Sequence, residues 1–238
     1  MPLKIGILST CVGAEELYEK YASEDKQIAN RLSNVRPDWC FETYRAYMGE
    51  FPDPIDACDG YVISGSPASV NARAEWVGGT LSCIRKFFSG GHPMLGICFG
   101  HQAIAKALGG KVELAKNGWN LGSINVHFQG QAPWMHPRRN VMRMYAVHNE
   151  QVVSPPNGAE ILGHTDTCPI ASFRIGNHVF TTQHHPEMTV EFMTHVVDLM
   201  ASELDPEIIS RAKASLEFQA DNDFFAQWMA SFLERRHG

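Results

Sequence analysis

The stretch PMLGICFGHQAIAKALGG (93–110) sets Cys98 between Gly96 and Gly100, where a short apolar run gives way to helical spacing. That pattern predicts a nucleophile elbow in the form G-x-C-x-G, a strained turn from strand into helix. The glycines let neighbouring backbones pass close to the central residue. Cys98 is expected at the N-terminus of the following helix, where free N–H groups and the helix dipole favour a thiolate. The N–H of Phe99 would face a developing oxyanion. The competing reading, a cysteine buried in a core strand, suits Cys11, Cys40, Cys58, Cys83 and Cys168 better, because flanking glycines bring a core strand nothing.

A thiol nucleophile needs a base, and the base needs a group to orient it. Among eleven histidines, those of QHHPE (183–187) stand out, since only His185 has a carboxylate two residues on. In extended backbone, residues two apart share a face. His185 and Glu187 would then point together, with Pro186 fixing the backbone between them and His184 facing away. The relay would be Cys98, His185 and Glu187, with His185 taking and returning the proton. A metal hydrolase using His101, His184 and His185 is the weaker alternative. Adjacent histidines on a strand face opposite ways, and no H-x-x-x-H or H-E-x-x-H spacing occurs. No metal or cofactor is expected.

These residues need a scaffold, and the pattern supplies one. LKIGILS (3–9), 39–49, 60–67 and 93–98 read as strands, alternating with helical spacing over about 14–33, 74–88 and 99–110. Such alternation predicts an α/β layer fold around a parallel sheet. The middle third reads as turn-linked strands, several of them antiparallel. After residue 188 the spacing is helical again to about 236. One catalytic domain over 1–190, with a C-terminal helical extension over 191–238 packed on it, is the economical division.

The chain has 238 residues, 44% hydrophobic and 19% charged, with a net charge of −6. That composition fits a globular domain and gives no basic patch for nucleic acid beyond the local ERRH run near the end. Six scattered cysteines without a C-x-x-C pair fit a reduced, cytoplasmic protein better than a disulfide framework. The apolar start reads as a core strand rather than a signal segment, and no apolar run reaches membrane-spanning length.

GICFGHQ, QHHPE and DGYVISGSP (59–67), in that order, resemble the class I (triad) glutamine amidotransferases, whose patterns are G-x-C-x-G-x-Q and Q-x-H-P-E. The resemblance covers roughly residues 1–190 and is similar to the free-standing branch, which includes the GMP synthase amidotransferase domain and plant γ-glutamyl peptidases. It implies a three-layer, flavodoxin-like, mostly parallel sheet with helices on both faces, a smaller antiparallel section and cleavage of a γ-glutamyl amide through a thioester on Cys98. It further implies Gly65 as second oxyanion donor beside Phe99, and Gln102 in contact with bound substrate. Ser66, His148, Asn149 and Glu150 are implied as further walls of the substrate pocket. For His148, Asn149 and Glu150 a polar turn between strands is an equal reading.

Three readings of function remain. The chain hydrolyses glutamine or another γ-glutamyl amide or peptide by itself; it is a glutaminase subunit feeding ammonia to a synthetase partner; or it is a binding or regulatory protein on this scaffold. The intact triad weighs against the last. The segment after Glu187 has no Gly-rich phosphate-cradling loop, so no ATP chemistry is expected of it.

Overall fold

The structure is a computed structural model that describes residues 2–13, 15–130 and 132–235. Ala14, at the start of the first expected helix, and Arg236 and His237 of the basic run lie outside these residues.

The parallel half comes first along the chain. It comprises β1 (Lys4–Ser9), β2 (Cys40–Arg45), β3 (Gly60–Ile63) and β4 (Met94–Ile97), with helices α1 (Glu15–Lys20), α2 (Glu24–Ser33), α3 (Glu75–Ser89) and α4 (Phe99–Ala107) between or after them. The middle contributes β5 (Lys111–Leu114), β6 (Asn120–Phe128), β7 (Val141–His148), β8 (Glu150–Ser154), β9 (Ala159–His164), β10 (Ser172–Ile175) and β11 (Val179–Thr182). Three helices follow: α5 (Val190–Leu199), α6 (Pro206–Ser215) and α7 (Asn222–Leu233).

Nine strands form one sheet in the order β2-β1-β3-β4-β11-β10-β9-β6-β7. The run from β2 to β11 is parallel, and every pairing beyond β11 is antiparallel. The antiparallel section is therefore a continuation of the main sheet, while β5 and β8 form a separate two-stranded pair. No helix among the described residues is long and apolar enough to cross a membrane.

Burial on both faces explains why the parallel strands read as unbroken apolar runs. Ile5, Ile7, Val62, Leu95 and Phe180 face α2 and α7, where Ile28, Leu32, Phe225, Trp228 and Phe232 complete one core. Leu8, Tyr61, Ile63, Met94 and Val179 face α3 and α4 across the sheet. A third cluster packs α1, α5 and α6 over Leu121 and Tyr145 of β6 and β7. Helix α7 thus fills the same core as β1, β3 and β4.

Two local expectations change. The helical stretch over 14–33 is two helices, because Ser23 takes extended backbone (φ −60°, ψ 157°) and the chain restarts at Glu24, whose side chain turns inward. The strand expected over 39–49 stops at Arg45 and closes in a 3₁₀ turn at Ala46–Met48, ended by Gly49 at φ 82°.

Candidate active site

The carboxyl ends of β1, β3, β4 and β11 open together at one edge of the sheet, on the side where the strand order reverses around β1. Open α/β sheets bind ligands at such a crevice. A cleft of about 420 Å³ lies there, lined by Gly65, Cys98, Gln102, His148, Glu150, His185 and Glu187 among others.

Cys98 immediately precedes α4 and has φ +49° with ψ −104°. It is the only non-glycine residue at positive φ among the described residues. Strain of this kind persists only where the surroundings impose it. Here they do, because no side chain fits at either flanking glycine. A Cβ on Gly100 would lie 2.2 Å from the Ile63 carbonyl oxygen, and one on Gly96 would lie 2.7 Å from Gly100. The elbow is wedged between β3 and the first turn of α4, and the thiol faces the cleft. The Phe99 side chain packs into the core below it. The N–H groups of Gly65 and Phe99, on either side of the cysteine, donate to no group among the described residues.

His185 and Glu187 come together by a different route from the one expected. β11 ends at Thr182, and residues 183–188 are not a strand. The segment is pinned by separate bonds: Gln183 N–H to Ala171 O (2.8 Å), His185 N–H to Tyr145 O (2.9 Å), and the Asn222 amide of α7 to Met188 O (2.7 Å). Within it, His185 Nδ1 lies 2.6 Å from Glu187 Oε1, and both side chains are buried. That contact leaves Nε2 buried without a hydrogen-bond partner. A Cβ built on Gly65 would lie 3.0 Å from His185 Cε1 and 3.6 Å from Cys98 Cβ, so ring and thiol meet over this glycine. Burial opposes a charge on the His185 ring, but the Glu187 carboxylate and the Cys98 sulfur outweigh it and push the imidazole up to about 10.

His184 is fully buried and does not line the cleft. Its ring lies 6.0 Å from that of His148, edge to face, and neither ring nitrogen has a hydrogen-bond partner. Burial, reinforced by nearby His148, His185 and His101, holds it well below the usual imidazole range. Among the described residues no three histidines, cysteines or carboxylates are placed to hold a metal ion.

The polar wall follows α4. The Gln102 amide donates to Glu150 O (2.8 Å) and Gln183 Oε1 (3.2 Å), and the Gln183 amide reaches Cys98 Sγ at 3.6 Å. His148 Nδ1 lies 3.1 Å from the same Glu150 carbonyl; because that oxygen only accepts, Nδ1 carries the proton and Nε2 is a buried lone pair. The Glu150 carboxylate accepts from Ser69 Oγ (2.9 Å) and Asn71 Nδ2 (3.3 Å). Ser66, Gln102, His148, Asn149 and Glu150 all line the cleft.

Sequence reasoning missed the support behind Gly65. The buried Glu24 carboxylate accepts from Ser64 Oγ (2.6 Å), Tyr18 O–H (3.0 Å), Ser9 Oγ (3.2 Å) and Cys11 N–H (3.2 Å). Thr10 Oγ1 lies 3.0 Å from Gly65 O and 3.1 Å from Ser64 O. The ends of β1 and β3 are thereby tied to the start of α2. Burial raises the Glu24 carboxyl, and the bonds from Ser64, Tyr18 and Ser9 counter it in part. The only signal in the sequence is an acidic residue opening a helix, which is common on surfaces.

Residues 5–198 match the family described as Glutamine amidotransferase class-I. Gamma-glutamyl peptidase 3 of Arabidopsis thaliana is 28% identical over 238 residues, spanning 95% of this chain and 94% of that protein. The glutamine-hydrolysing GMP synthase of Synechocystis sp. is 36% identical over 132 residues, 54% of this chain but 23% of that one. Among solved structures, a glutamine amidotransferase from Thermotoga maritima superimposes with a TM-score of 0.78 at 18% identity, over 99% of this chain and 100% of that chain. The last likeness shows a shared fold, and the family match spans most of the chain. The chain belongs to the class I glutamine amidotransferases.

Proposed function

We propose that the protein hydrolyses γ-glutamyl amide bonds by itself, with Cys98 as nucleophile, His185 as proton carrier and Glu187 as its orienter. The observation that carries this reading is the buried His185–Glu187 pair held across Gly65 from a strained cysteine. In the first step Cys98 Sγ bonds to the γ-carbonyl carbon, and the oxygen takes the charge beside the N–H groups of Phe99 and Gly65. The C–N bond then breaks as His185 gives its proton to the departing nitrogen, leaving a γ-glutamyl thioester. Water, deprotonated by His185, attacks the thioester, and glutamate leaves with Cys98 restored. His185, raised to about 10, already holds at neutral pH the proton that the amine needs. Gln102, Ser66, His148, Asn149 and Glu150 receive the glutamyl end. The family match and the γ-glutamyl peptidase relatives support the bond class.

A second reading, a glutaminase that delivers ammonia to a synthetase partner, is favoured by the identity with GMP synthase. It predicts feeble turnover of glutamine alone and stimulation by that partner. Steady-state assays of the purified chain on glutamine and on substituted γ-glutamyl amides separate the two. In the same assays His185→Ala should remove nearly all turnover, while Glu187→Gln should keep a measurable fraction, because an orienter matters less than the carrier. Equal losses would sink the assigned order of roles.

Gly65 carries a further expectation. Its missing Cβ leaves room for the His185 ring, so Gly65→Val should force the ring from the thiol as well as distort a donor N–H. A loss of about 100-fold or more in kcat is expected, on the scale of one lost oxyanion donor. An active Gly65→Val enzyme with unshifted kcat would remove Gly65 from the site.

A further inference from the structure

The cleft that holds Cys98 is lined by two groups of side chains of opposite chemistry. One is the polar wall of Gln102 and His148 to Glu150. The other, an apolar arm, runs past Glu187 between α1 and α5, where Leu17, Phe192, Val196, Leu199 and Met200 line it. These side chains belong to, or lie next to, the cluster that packs α1 against α5. Tyr21 braces the wall from behind, edge-on to Phe192 at 5.3 Å. Leu199 is left 40% exposed, an apolar side chain open to the cleft mouth. The charged side chains that line the cleft away from the polar wall are all carboxylates, the exposed Glu16 and Glu203 and the buried Glu24 and Glu187, and no lysine or arginine lines the cleft among the described residues.

A substrate amide has two ends, and both must be housed. The glutamyl end carries an ammonium and a carboxylate, which need hydrogen-bonding groups and find them on the polar wall. With the glutamyl end on the polar wall, the apolar side chains of α1 and α5 are what remains to house the departing amine. A carboxylate there would meet carbon atoms and glutamates, with no cation to receive it.

We propose that this arm is the leaving-group subsite and that it takes an amine bearing an apolar, non-anionic substituent. The substrate is then a γ-glutamyl amide of an alkyl or arylalkyl amine rather than a γ-glutamyl peptide. This inference rests on the hydrolase reading above and names the substrate class of that same site.

The test compares γ-glutamyl-2-phenylethylamide with γ-glutamyl-phenylalanine, which share an aromatic ring and differ by one carboxylate, and includes glutamine. The purified chain should hydrolyse the phenylethylamide with kcat/KM about tenfold or more above both others. Glu203→Lys, an exposed change, should narrow the amide-to-peptide ratio severalfold, and Leu199→Ser should lower kcat/KM for the phenylethylamide more than for glutamine. Calorimetry on the Cys98→Ala protein gives a second readout, with tighter binding of the phenylethylamide expected. If the peptide is cleaved as well as the amide or better, the subsite assignment is overturned and the hydrolase reading stands. If nothing is cleaved but the Cys98→Ala protein still prefers the phenylethylamide, the hydrolase reading falls and the subsite stands. If nothing is cleaved and neither compound binds preferentially, both fall.

Discussion

Cys98→Ala removes turnover, by more than about 10⁴-fold, and with it any γ-glutamyl adduct visible by intact mass after acid quenching. The scale follows from the division of labour. In the proposed mechanism His185, Glu187 and the main-chain N–H groups act only on a carbon that sulfur has already attacked, so without the thiol they would have nothing to act on. A folded Cys98→Ala protein that still hydrolyses γ-glutamyl amides would overturn the mechanism outright. A companion variant tests the elbow separately. Alanine keeps a Cβ at φ +49° and ψ −104°, whereas glycine does not. Cys98→Gly should therefore be more stable than Cys98→Ala by about 1 kcal/mol, strain relief of roughly 1–3 kcal/mol less the greater backbone entropy of glycine. Denaturant midpoints in the opposite order would mean that the turn stores no strain. Both variants are inactive, so the stability difference reads the backbone alone.

Between pH 7 and pH 5 His101 and His148 together should cost the folded protein roughly 4 kcal/mol of stability, a large part of a typical domain's margin, and His184 adds to the loss. Three fully buried or nearly buried rings cause this. Burial lowers His101 to about 3 and His148 to about 4, with a neighbouring histidine adding to each, and it holds His184 well below the usual range. In the unfolded chain all three sit near 6.5. Above that pH both states carry them neutral, and their stability is fully present. As pH falls below it, the unfolded chain takes up protons that the folded chain refuses, at roughly 2 kcal/mol each for His101 and His148 by pH 5 and in the same direction for His184, while the Glu24 carboxyl, raised by burial, works against the loss. His185 runs the other way. Raised to about 10, it contributes most below 6.5 and loses its contribution as pH rises through 10, so it gains little between pH 7 and pH 5. Urea midpoints at pH 7, 6 and 5 measure the slope. His184→Phe should flatten that slope whatever it does to the stability at pH 7. An unchanged slope would show that His184 is not excluded from protonation.

The elbow was legible because its geometry is local. Strand, Gly-x-Cys-x-Gly and helix lie within about fifteen residues, and the tight contacts at Gly96 and Gly100 are what the glycines announced. The pairing of His185 with Glu187 was legible for a reason that proved incomplete. Extended strand geometry brought them together on paper, whereas in the fold the strand has already ended and main-chain bonds from Ala171 and Tyr145 hold the segment. The sharing of one sheet by parallel and antiparallel strands was only half visible, since periodicity identifies strands but not their partners. Glu24 was invisible because everything that gives it meaning is distant in sequence. Ser64 is forty residues away and approaches only when β1 and β3 pair. The apolar arm was invisible for the same reason, since α1 and α5 meet only in the fold.

The place of β11 in the sheet has a consequence for how the molecule comes into being. β4 delivers the thiol, but the base arrives on the segment after β11, which must slot between β4 and β10 once the antiparallel strands exist. Long-range pairings of this kind form late, because the chain must close a large loop before they reward it. A chain in which β11 has not yet paired with β4 carries its cysteine without the histidine proposed to put it to work. The thiol's reactivity toward an alkylating reagent becomes a clock for the closing of the sheet, and a chain halted before residue 179 holds a finished elbow that has nothing to receive its proton.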